Sequence, residues 1–532
     1  DFARVAGEVS RTAGLRAWGG VPPLRLSSPS SPPFSSSLGP MAPRDGREQR
    51  SAAAGTGRAL SAGISVEDGD PPLQLVACAR ELRAPLSGGE ALQGQRAHPE
   101  SPGLDIRAVW QVTSMSLGIG VFTIPHAFLQ LGALHGAFWV IVLGLFADFA
   151  LQALLDCAAA LGITSYDGLA KHAFGAAGEL AMMLITIITT FIATLSYLGS
   201  VKEILVGVVV AFFLDFDVNS GENGVEVLSK AKELVLLSVL TAVVLPRCLG
   251  RSMGSNAWIS TAGVLAITCA SIFFVGHCAV QLVAGRGGPR PELFKFDTEN
   301  ALKSVGDILE NVATLAFSFS MCFAVFEVLE ERVVGGDVAS AVGKLKPAVR
   351  MSVVFSCCIY LLVGLIGVFT FGTNTRSLAL ANTSLTDVLS LSINTVVGVS
   401  TLLLVAIVAF PTIHTLEKLC GLCCHPRDYE SSPRSGRQLL SPRTRPVLVG
   451  MVGVLAVLID AFLPTKVAFA LTGSLGLAAA AYCLPCLLLL HLRPHGGGGH
   501  AVAAHPGAVV VLLFGCTLLL GSTPVEVLRA AS

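Results

Sequence analysis

The sequence predicts an all-α polytopic membrane protein with about eleven transmembrane helices, and three observations support this fold class. Of the 532 residues, 52% are hydrophobic and only 14% are charged, whereas a soluble globular protein carries roughly 25% charged residues. The mean hydropathy is +0.69. The charges cluster, so that long stretches contain almost none. The net charge is zero, which gives no indication of nucleic-acid binding.

Eleven apolar segments follow Arg107, counted with about 20 residues for each crossing of the bilayer. We number them in chain order and keep these numbers below. The fourth is short, and the third is long enough to tilt strongly. The predicted spans are 108–131, 134–161, 180–213, 234–249, 257–283, 307–329, 351–372, 387–417, 446–463, 466–492 and 506–523. Residues 106–525 therefore form the predicted transmembrane domain.

Residues 1–105 are rich in Ser, Pro, Gly, Ala and Arg and show no periodicity. The stretch 28–37 is of low complexity and cannot bury enough apolar surface to fold. We therefore expect a disordered N-terminal arm. We see no cleaved signal peptide there, and the first methionine is Met41.

The distribution of Lys and Arg predicts that the N-terminus is cytosolic and the C-terminus lies on the opposite side. The loop at 214–226 is purely acidic and falls outside under this arrangement. The single acceptor sequon, which begins at Asn382, also falls outside.

Segment one contains Gly118, Ile119 and Gly120 in its middle and Pro125 near its end. Glycine and proline weaken the hydrogen bonding of a helix, and in lipid the freed backbone groups are tolerated only where they line a cavity. A membrane helix broken at its midpoint is a candidate binding site. The alternative is close helix packing through small residues, and segment one by itself does not decide between them.

Segment six carries Ser318 and Ser320 between aromatic residues at its middle. The hydroxyls offer polar groups at membrane depth, although they can also bond to carbonyls within an intact helix. Segments one and six are five helices apart. This offset predicts a 5+5 inverted repeat, in which each repeat opens with a broken helix.

The fourteen cysteines lie mostly inside apolar segments, which is typical of small buried residues and not of a disulfide framework. The cluster Cys420, Cys423, Cys424 and His425 has no second cluster to complete a zinc site. Palmitoylation, or no role, is the preferred interpretation. We predict no metal and no cofactor.

We find no HExxH, GxSxG or HxxxxD pattern, so we do not expect an enzyme. A repeated selectivity filter or charged ring, as a channel requires, is also not visible.

Five stretches, taken in order, resemble the amino acid/auxin permease family of the amino acid-polyamine-organocation superfamily. They are the Gly-rich stretch 116–132, Leu195–Leu198 with Glu203, the stretch 316–331 that ends at Glu331, Phe410-Pro411 at the end of segment eight, and Gly473-Ser474. The resemblance covers residues 107–523. It implies a leucine-transporter-like fold that transports amino acids by symport, in a plasma, vacuolar or lysosomal membrane.

The resemblance also implies that the substrate lies between segments one, three, six and eight. An amino acid carboxylate suits backbone N–H groups near Gly118 and Gly120, at the positive end of a half-helix. Its ammonium suits carbonyls exposed near Phe317 to Ser320, and Tyr197 could donate its phenolic hydrogen to the carboxylate. The predicted substrate-binding residues are Ser116, Gly118, Ile119, Gly120, Tyr197, Phe317, Ser318, Phe319 and Ser320.

The coupling ion is H⁺ or Na⁺. Leu404 stands where sodium-coupled relatives show threonine, which favours protons, although Ser400 and Thr401 lie one turn earlier. For a proton, Asp148 and Glu310 are the preferred carboxylates. Asp156, Glu203 and Glu327 are expected at water interfaces instead. Membrane lipid and an amino acid are the expected partners; a non-transporting amino acid sensor and a sodium-coupled symporter remain the alternatives.

Overall fold

The computed structural model describes residues 105–213, 230–250, 257–296, 300–333, 337–383, 387–424, 444–460, 462–492 and 506–524. Residues 1–104 of the predicted arm and the acidic loop at 214–226 lie outside these ranges. So do Ser384 of the sequon and His425 of the cysteine cluster.

A helix lies on every one of the eleven predicted segments. The helices are Ile106–Thr113 and Ile124–Leu131 in segment one, Ala133–Leu161, Tyr166–Phe213, Lys230–Val244, Ala257–Val283, Ala301–Phe317 and Cys322–Arg332 in segment six, Val338–Phe371, Val388–Cys424, Thr444–Asp460, Thr465–Leu471 and Leu484–Leu492 in segment ten, and Pro506–Thr517. Ile119–Thr123 and Leu245–Leu249 are 3-10 helices, and Thr472–Cys483 and Leu518–Ser522 are π-helical.

Seven helical segments of the described chain are long and apolar enough to cross a membrane: two, three, five, six, seven, eight and ten. Shorter apolar helices lie in segments one, four and eleven. The chain is therefore an integral, multi-pass membrane protein, and it is helical throughout its described secondary structure.

The helix of segment three begins at Tyr166, before the predicted span of 180–213. Polar residues lower the hydropathy of residues 166–179, so this part of the helix lies outside the predicted apolar span. Lys171 and Glu179 form an ion pair of 2.9 Å across the turn at Gly175, which has a φ of 69°. A positive φ of this kind favours glycine.

Segment eight continues to Cys424, so the prediction that Phe410-Pro411 ends it is wrong. Pro411 lies inside the helix, as does Pro347 in segment seven, which begins at Val338. Membrane helices tolerate proline because neighbouring helices and hydroxyl side chains bind the freed backbone groups.

Segments six and eight lie at the centre of the molecule. In their most apolar stretches 89% and 78% of the residues are buried, against 39% in segment five. A membrane helix buried on all sides packs against protein and not lipid, so its polar groups must find partners there.

Candidate functional site

The helix of segment one is interrupted at residues 114–118, between Thr113 and Ile119. Short local hydrogen bonds, from Ser116 N to the Thr113 carbonyl and from Gly118 N to the Ser116 carbonyl, replace the helical pattern at 3.0 Å each. The backbone of Gly118 is extended. A helix that restarts at Ile119 leaves its first N–H groups without carbonyls behind them. The predicted break in segment one is confirmed.

Segment six is interrupted at residues 318–321, between Phe317 and Cys322. The amide of Phe319 bonds to the Ala316 carbonyl at 2.9 Å, and that of Met321 bonds to the Phe319 carbonyl at 2.8 Å. The interpretation of an intact helix with internally bonded serines is therefore wrong.

The two interruptions contact each other. The hydroxyl of Ser320 donates to the carbonyl of Met115 at 2.7 Å. A Cβ placed on Gly120 would lie 3.3 Å from the Ser318 oxygen. This oxygen is buried and has no hydrogen-bond partner among the described residues. The Ser318 hydroxyl is thus a buried polar group at the contact between the two interruptions.

Tyr197 of segment three lies against the first interruption. A Cβ on Gly118 would collide with the phenolic oxygen of Tyr197. The ring also contacts Phe317 edge-on, with centroids 6.4 Å apart. Tyr197 can occupy this place only because residue 118 has no side chain.

A small cavity of about 10 Å³, enough for about one water molecule, lies between the two interruptions. Segments one, three, six, eight and ten all contribute to its wall. None of the lining side chains is charged. They are Met115, Thr189, Thr190, Ala193, Tyr197, Phe317, Ser320, Phe323, Val408 and Thr472.

Two further cavities flank this central cavity. We call the end of the molecule at Asp105 the inner end, following the predicted topology. The outer cavity has a volume of about 20 Å³ and is lined in part by Lys466 and Phe469, and the inner cavity has a volume of about 50 Å³. The rings of Phe317 and Phe469 meet edge-on at 4.9 Å between the outer and central cavities. Phe323 lines both the central and the inner cavity. Aromatic side chains therefore close the central cavity on both sides.

Of the predicted substrate-binding residues, Tyr197, Phe317 and Ser320 line the central cavity. The others lie behind its wall. Gly118 and Gly120 contact lining side chains through their backbone, and Ser318 lies beside Gly120. Ser116 bonds to segment seven, Phe319 packs on Tyr360, and Ile119 is fully buried.

The candidates for ion coupling lie apart from one another. Glu310 is buried and forms an ion pair of 2.8 Å with Lys466 of the outer cavity. Asp148 lies 3.4 Å from Arg350 and lines none of these three cavities. Ser400 and Thr401 are buried in segment eight, whose residue on the central wall is Val408.

The inner ends of segments one and six are joined by polar contacts. Asp105 caps the first helix by accepting from Ala108 N at 3.0 Å, and it accepts from the Arg332 guanidinium at 2.7 Å. The bond from Arg332 lowers the pKa of the Asp105 carboxyl. Gln111 also bonds to Glu331, at 3.3 Å.

Sequence reasoning missed Tyr360 of segment seven, whose hydroxyl contacts both interruptions. It also missed Thr189, Thr190 and Thr472 of the cavity wall. A signal for Tyr360 exists, because it is one of five tyrosines in the chain and lies in a long apolar segment. No local pattern marks the three threonines, which are common in membrane helices.

The relatives of known sequence include amino acid transporters. The chain is 23% identical over 306 residues to the amino acid transporter AVT6A of Arabidopsis thaliana, covering 57% of this chain and 64% of that protein. It is 26% identical over 275 residues to the "Putative sodium-coupled neutral amino acid transporter 11" of Mus musculus, covering 50% and 53%. The aligned part thus spans less than two thirds of these relatives.

Solved structures with a similar course of the chain include Mhp1, a nucleobase-cation-symport-1 family transporter, in a closed conformation. That match has a TM-score of 0.44 and 13% identity, and covers 80% of this chain and 90% of Mhp1. A manganese transporter of Eremococcus coleocola matches with a TM-score of 0.39 and 13% identity, covering 80% and 85%.

The model of one family, described as transmembrane amino acid transporter protein, matches residues 105–526. This range includes all eleven segments and both interruptions. The resemblance to the amino acid/auxin permease family is confirmed, and the family and these relatives are transporters and not enzymes. The chain belongs to the transmembrane amino acid transporter family.

Proposed function

We propose that this chain is a secondary active amino acid transporter that works by alternating access. The observation that carries the proposal is the meeting of two interrupted helices at a central cavity closed by aromatic side chains. Opening toward the outer cavity requires Phe317 and Phe469 to separate. Opening toward the inner cavity requires Phe323 to move. Family membership supports the same function.

The substrate we propose is a neutral amino acid. Its carboxylate binds the free N–H groups of Ile119 and Gly120, where the helix dipole is positive, and the Tyr197 hydroxyl adds a donor. Its ammonium binds carbonyls at the C-terminal end of the helix that ends at Phe317. The wall without charges leaves no partner for a charged substrate side chain.

The eleven helical segments, in our proposal, all cross the membrane, and segments one to five and six to ten form an inverted repeat. The breaks at 114–118 and 318–321 support it, because they occupy corresponding positions five helices apart. A repeat of this kind places the substrate site at the interface between its halves.

We propose a proton as the coupling ion, with Glu310 as its carrier. The carboxyl is buried in segment six, before the interruption, and its partner Lys466 lines the outer cavity. Protonation of Glu310 would break this ion pair between segments six and ten. Sodium is the second candidate, with Ser400 and Thr401 as ligands, and the name of the mouse relative favours it.

The test is uptake of a mixture of labelled amino acids into proteoliposomes, under an inward proton gradient and then under an inward sodium gradient. We expect accumulation under the proton gradient, lost in Glu310→Gln and kept in Asp148→Asn. Loss in Asp148→Asn instead would assign the proton to the other carboxylate.

Accumulation driven by sodium alone, and lost in Ser400→Ala or Thr401→Ala, would contradict proton coupling. Binding of amino acids without accumulation under either gradient would contradict transport and favour an amino acid sensor.

A further inference from the structure

The hydroxyl of Tyr360 lies between the two interruptions. Its oxygen is 2.7 Å from the carbonyl oxygen of Ser116 and 2.6 Å from that of Ser318. The side chain is fully buried, and its ring meets Phe319 edge-on at 5.3 Å. One side chain of segment seven thus contacts the unwound backbone of segments one and six together.

A phenol has a single hydrogen to donate. Only one of the two carbonyls can therefore receive a full, linear hydrogen bond from Tyr360 at a given moment, although both lie at bonding distance. Rotation about the bond between ring and oxygen transfers the donor from one carbonyl to the other. The ring itself does not have to move.

Tyr360 is the last of three hydroxyl residues spaced four apart on one face of segment seven. The Ser352 hydroxyl donates to the Val109 carbonyl at 3.0 Å, within the first half of segment one. The Ser356 hydroxyl lies 2.9 Å from the Ser116 hydroxyl, at the interruption. Ser352 and Ser356 bind segment one in these contacts, whereas Tyr360 binds segment one and segment six.

We propose that Tyr360 is a positioning residue that holds the two interruptions in register, by a hydrogen bond given in turn to Ser116 and Ser318. Tyr360 does not line the central cavity. It acts on the substrate through the backbone groups that the interruptions present. This role deepens the proposed transport function and rests on it for the effect on substrate, while the effect on the backbone is independent of it.

The first test is hydrogen–deuterium exchange of the purified full chain, followed in peptides that cover residues 114–121 and 318–323. Tyr360→Phe keeps the ring and removes the donor. Tyr482→Phe is the matched control, because the Tyr482 hydroxyl is buried and has no hydrogen-bond partner among the described residues. Ser356→Ala removes the contact of the Ser356 hydroxyl to Ser116 of segment one and keeps the Tyr360 hydroxyl.

We expect exchange to rise roughly tenfold in both peptides of Tyr360→Phe, since a buried carbonyl loses its donor. It should rise in the first peptide alone in Ser356→Ala, and in neither peptide in Tyr482→Phe. Unchanged exchange in Tyr360→Phe, a rise at only one interruption, or an equal rise in Tyr482→Phe would overturn the proposal.

If Tyr360→Phe aggregates, the same substitution is made together with Gly343→Ala and compared with Gly343→Ala alone. An added methyl group at Gly343 meets no other atom within 4 Å, and alanine favours a helix over glycine.

The second test is the concentration dependence of uptake of the labelled amino acid that the proteoliposomes accumulate best. We expect the half-saturation concentration to rise about tenfold in Tyr360→Phe and to stay unchanged in Tyr482→Phe. An unchanged value in Tyr360→Phe would contradict the effect on substrate. Absence of uptake by the native chain would contradict the proposed function and leave the exchange result standing.

Discussion

The two interruptions at the centre of the molecule are alike in position and different in composition. The one in segment one spans residues 114–118 and includes Gly118, with Gly120 and Pro125 shortly after it. The one in segment six spans residues 318–321 and contains no glycine and no proline. Both nevertheless end one helix and begin another.

The difference shows that a membrane helix can be interrupted with or without a residue that weakens the helix. In segment one, the missing side chain of Gly118 leaves space for Tyr197. In segment six, the freed groups have partners outside the segment. The Ser318 carbonyl accepts from Tyr360, and Ser320 donates to Met115. The Ser116 and Met115 carbonyls of the first break accept from the same two side chains. Both breaks therefore depend on tertiary contacts, and only the first also has glycine as a local signal.

Gly118→Ala disturbs the packing at the first interruption and should have the largest effect on uptake. The new methyl group occupies the place of the Tyr197 oxygen, and overpacking costs typically about 1–3 kcal/mol. We expect uptake to fall by roughly fivefold to a hundredfold, since about 1.4 kcal/mol corresponds to a factor of ten.

Gly120→Ala should have a smaller effect, because its methyl group lies 3.3 Å from the Ser318 oxygen and needs only a small shift. Gly343→Ala is the matched control at an open helical site. Equal uptake by Gly118→Ala and Gly343→Ala in the proteoliposome assay would contradict the steric role of residue 118.

Ser320→Ala tests the dependence of the second interruption on its neighbour. It removes the donor to the Met115 carbonyl, and an unsatisfied buried group costs about 1–3 kcal/mol. We expect the free energy of unfolding, measured by denaturant titration in detergent, to fall within that range. Ser392→Ala is the control, since the Ser392 hydroxyl donates to the preceding turn of its own helix at an exposed site. Equal losses in the two variants would contradict a stabilising role for the bond from Ser320 to the Met115 carbonyl.

Asp105→Asn tests the contact between the inner ends of segments one and six, and it should have the smallest effect on stability. Asparagine keeps the helix cap and loses the charge that pairs with Arg332. Such partly exposed pairs contribute about 0–1 kcal/mol, so we expect a loss of stability in that range.

The pH dependence of this contact follows from the direction of the pKa shift. The pKa of Asp105 is lowered by Arg332, so the stabilisation is present above the ordinary aspartate value of about 3.9. It is lost as the pH falls through the lowered value. Between pH 5 and 8 the difference in melting temperature between Asp105→Asn and the native chain should stay constant; a difference that vanishes at pH 5 would contradict this assignment.

The helical segments and the first interruption could be predicted from the sequence, because hydropathy and glycine content are local properties. The ends of the segments were predicted less well. Pro411 reads as a helix end in the sequence, yet the helix continues past it for more than three turns. Surrounding helices decide whether a proline ends a membrane helix, and a sequence does not show which helices those are.

Only part of the candidate site could be predicted, because a sequence does not show which helices meet at the site. Tyr197, Phe317 and Ser320 lie on the cavity wall as residues of segments three and six. Thr472 joins them from segment ten, in a π-helical stretch where Gly473 packs against the Ala313 carbonyl. Such contacts join residues more than a hundred positions apart, so no local pattern reveals them.

By itself, the sequence determined that this protein is a helical membrane protein with a weakened helix at its start and a family signature across its segments. These properties depend on the composition and order of residues along one chain. Only the tertiary structure decided that segment six is broken without a helix breaker and that Tyr360 contacts both breaks. It also decided that the Ser318 hydroxyl has no hydrogen-bond partner among the described residues. The physical reason is that buried backbone groups need partners, and in this protein other helices supply them.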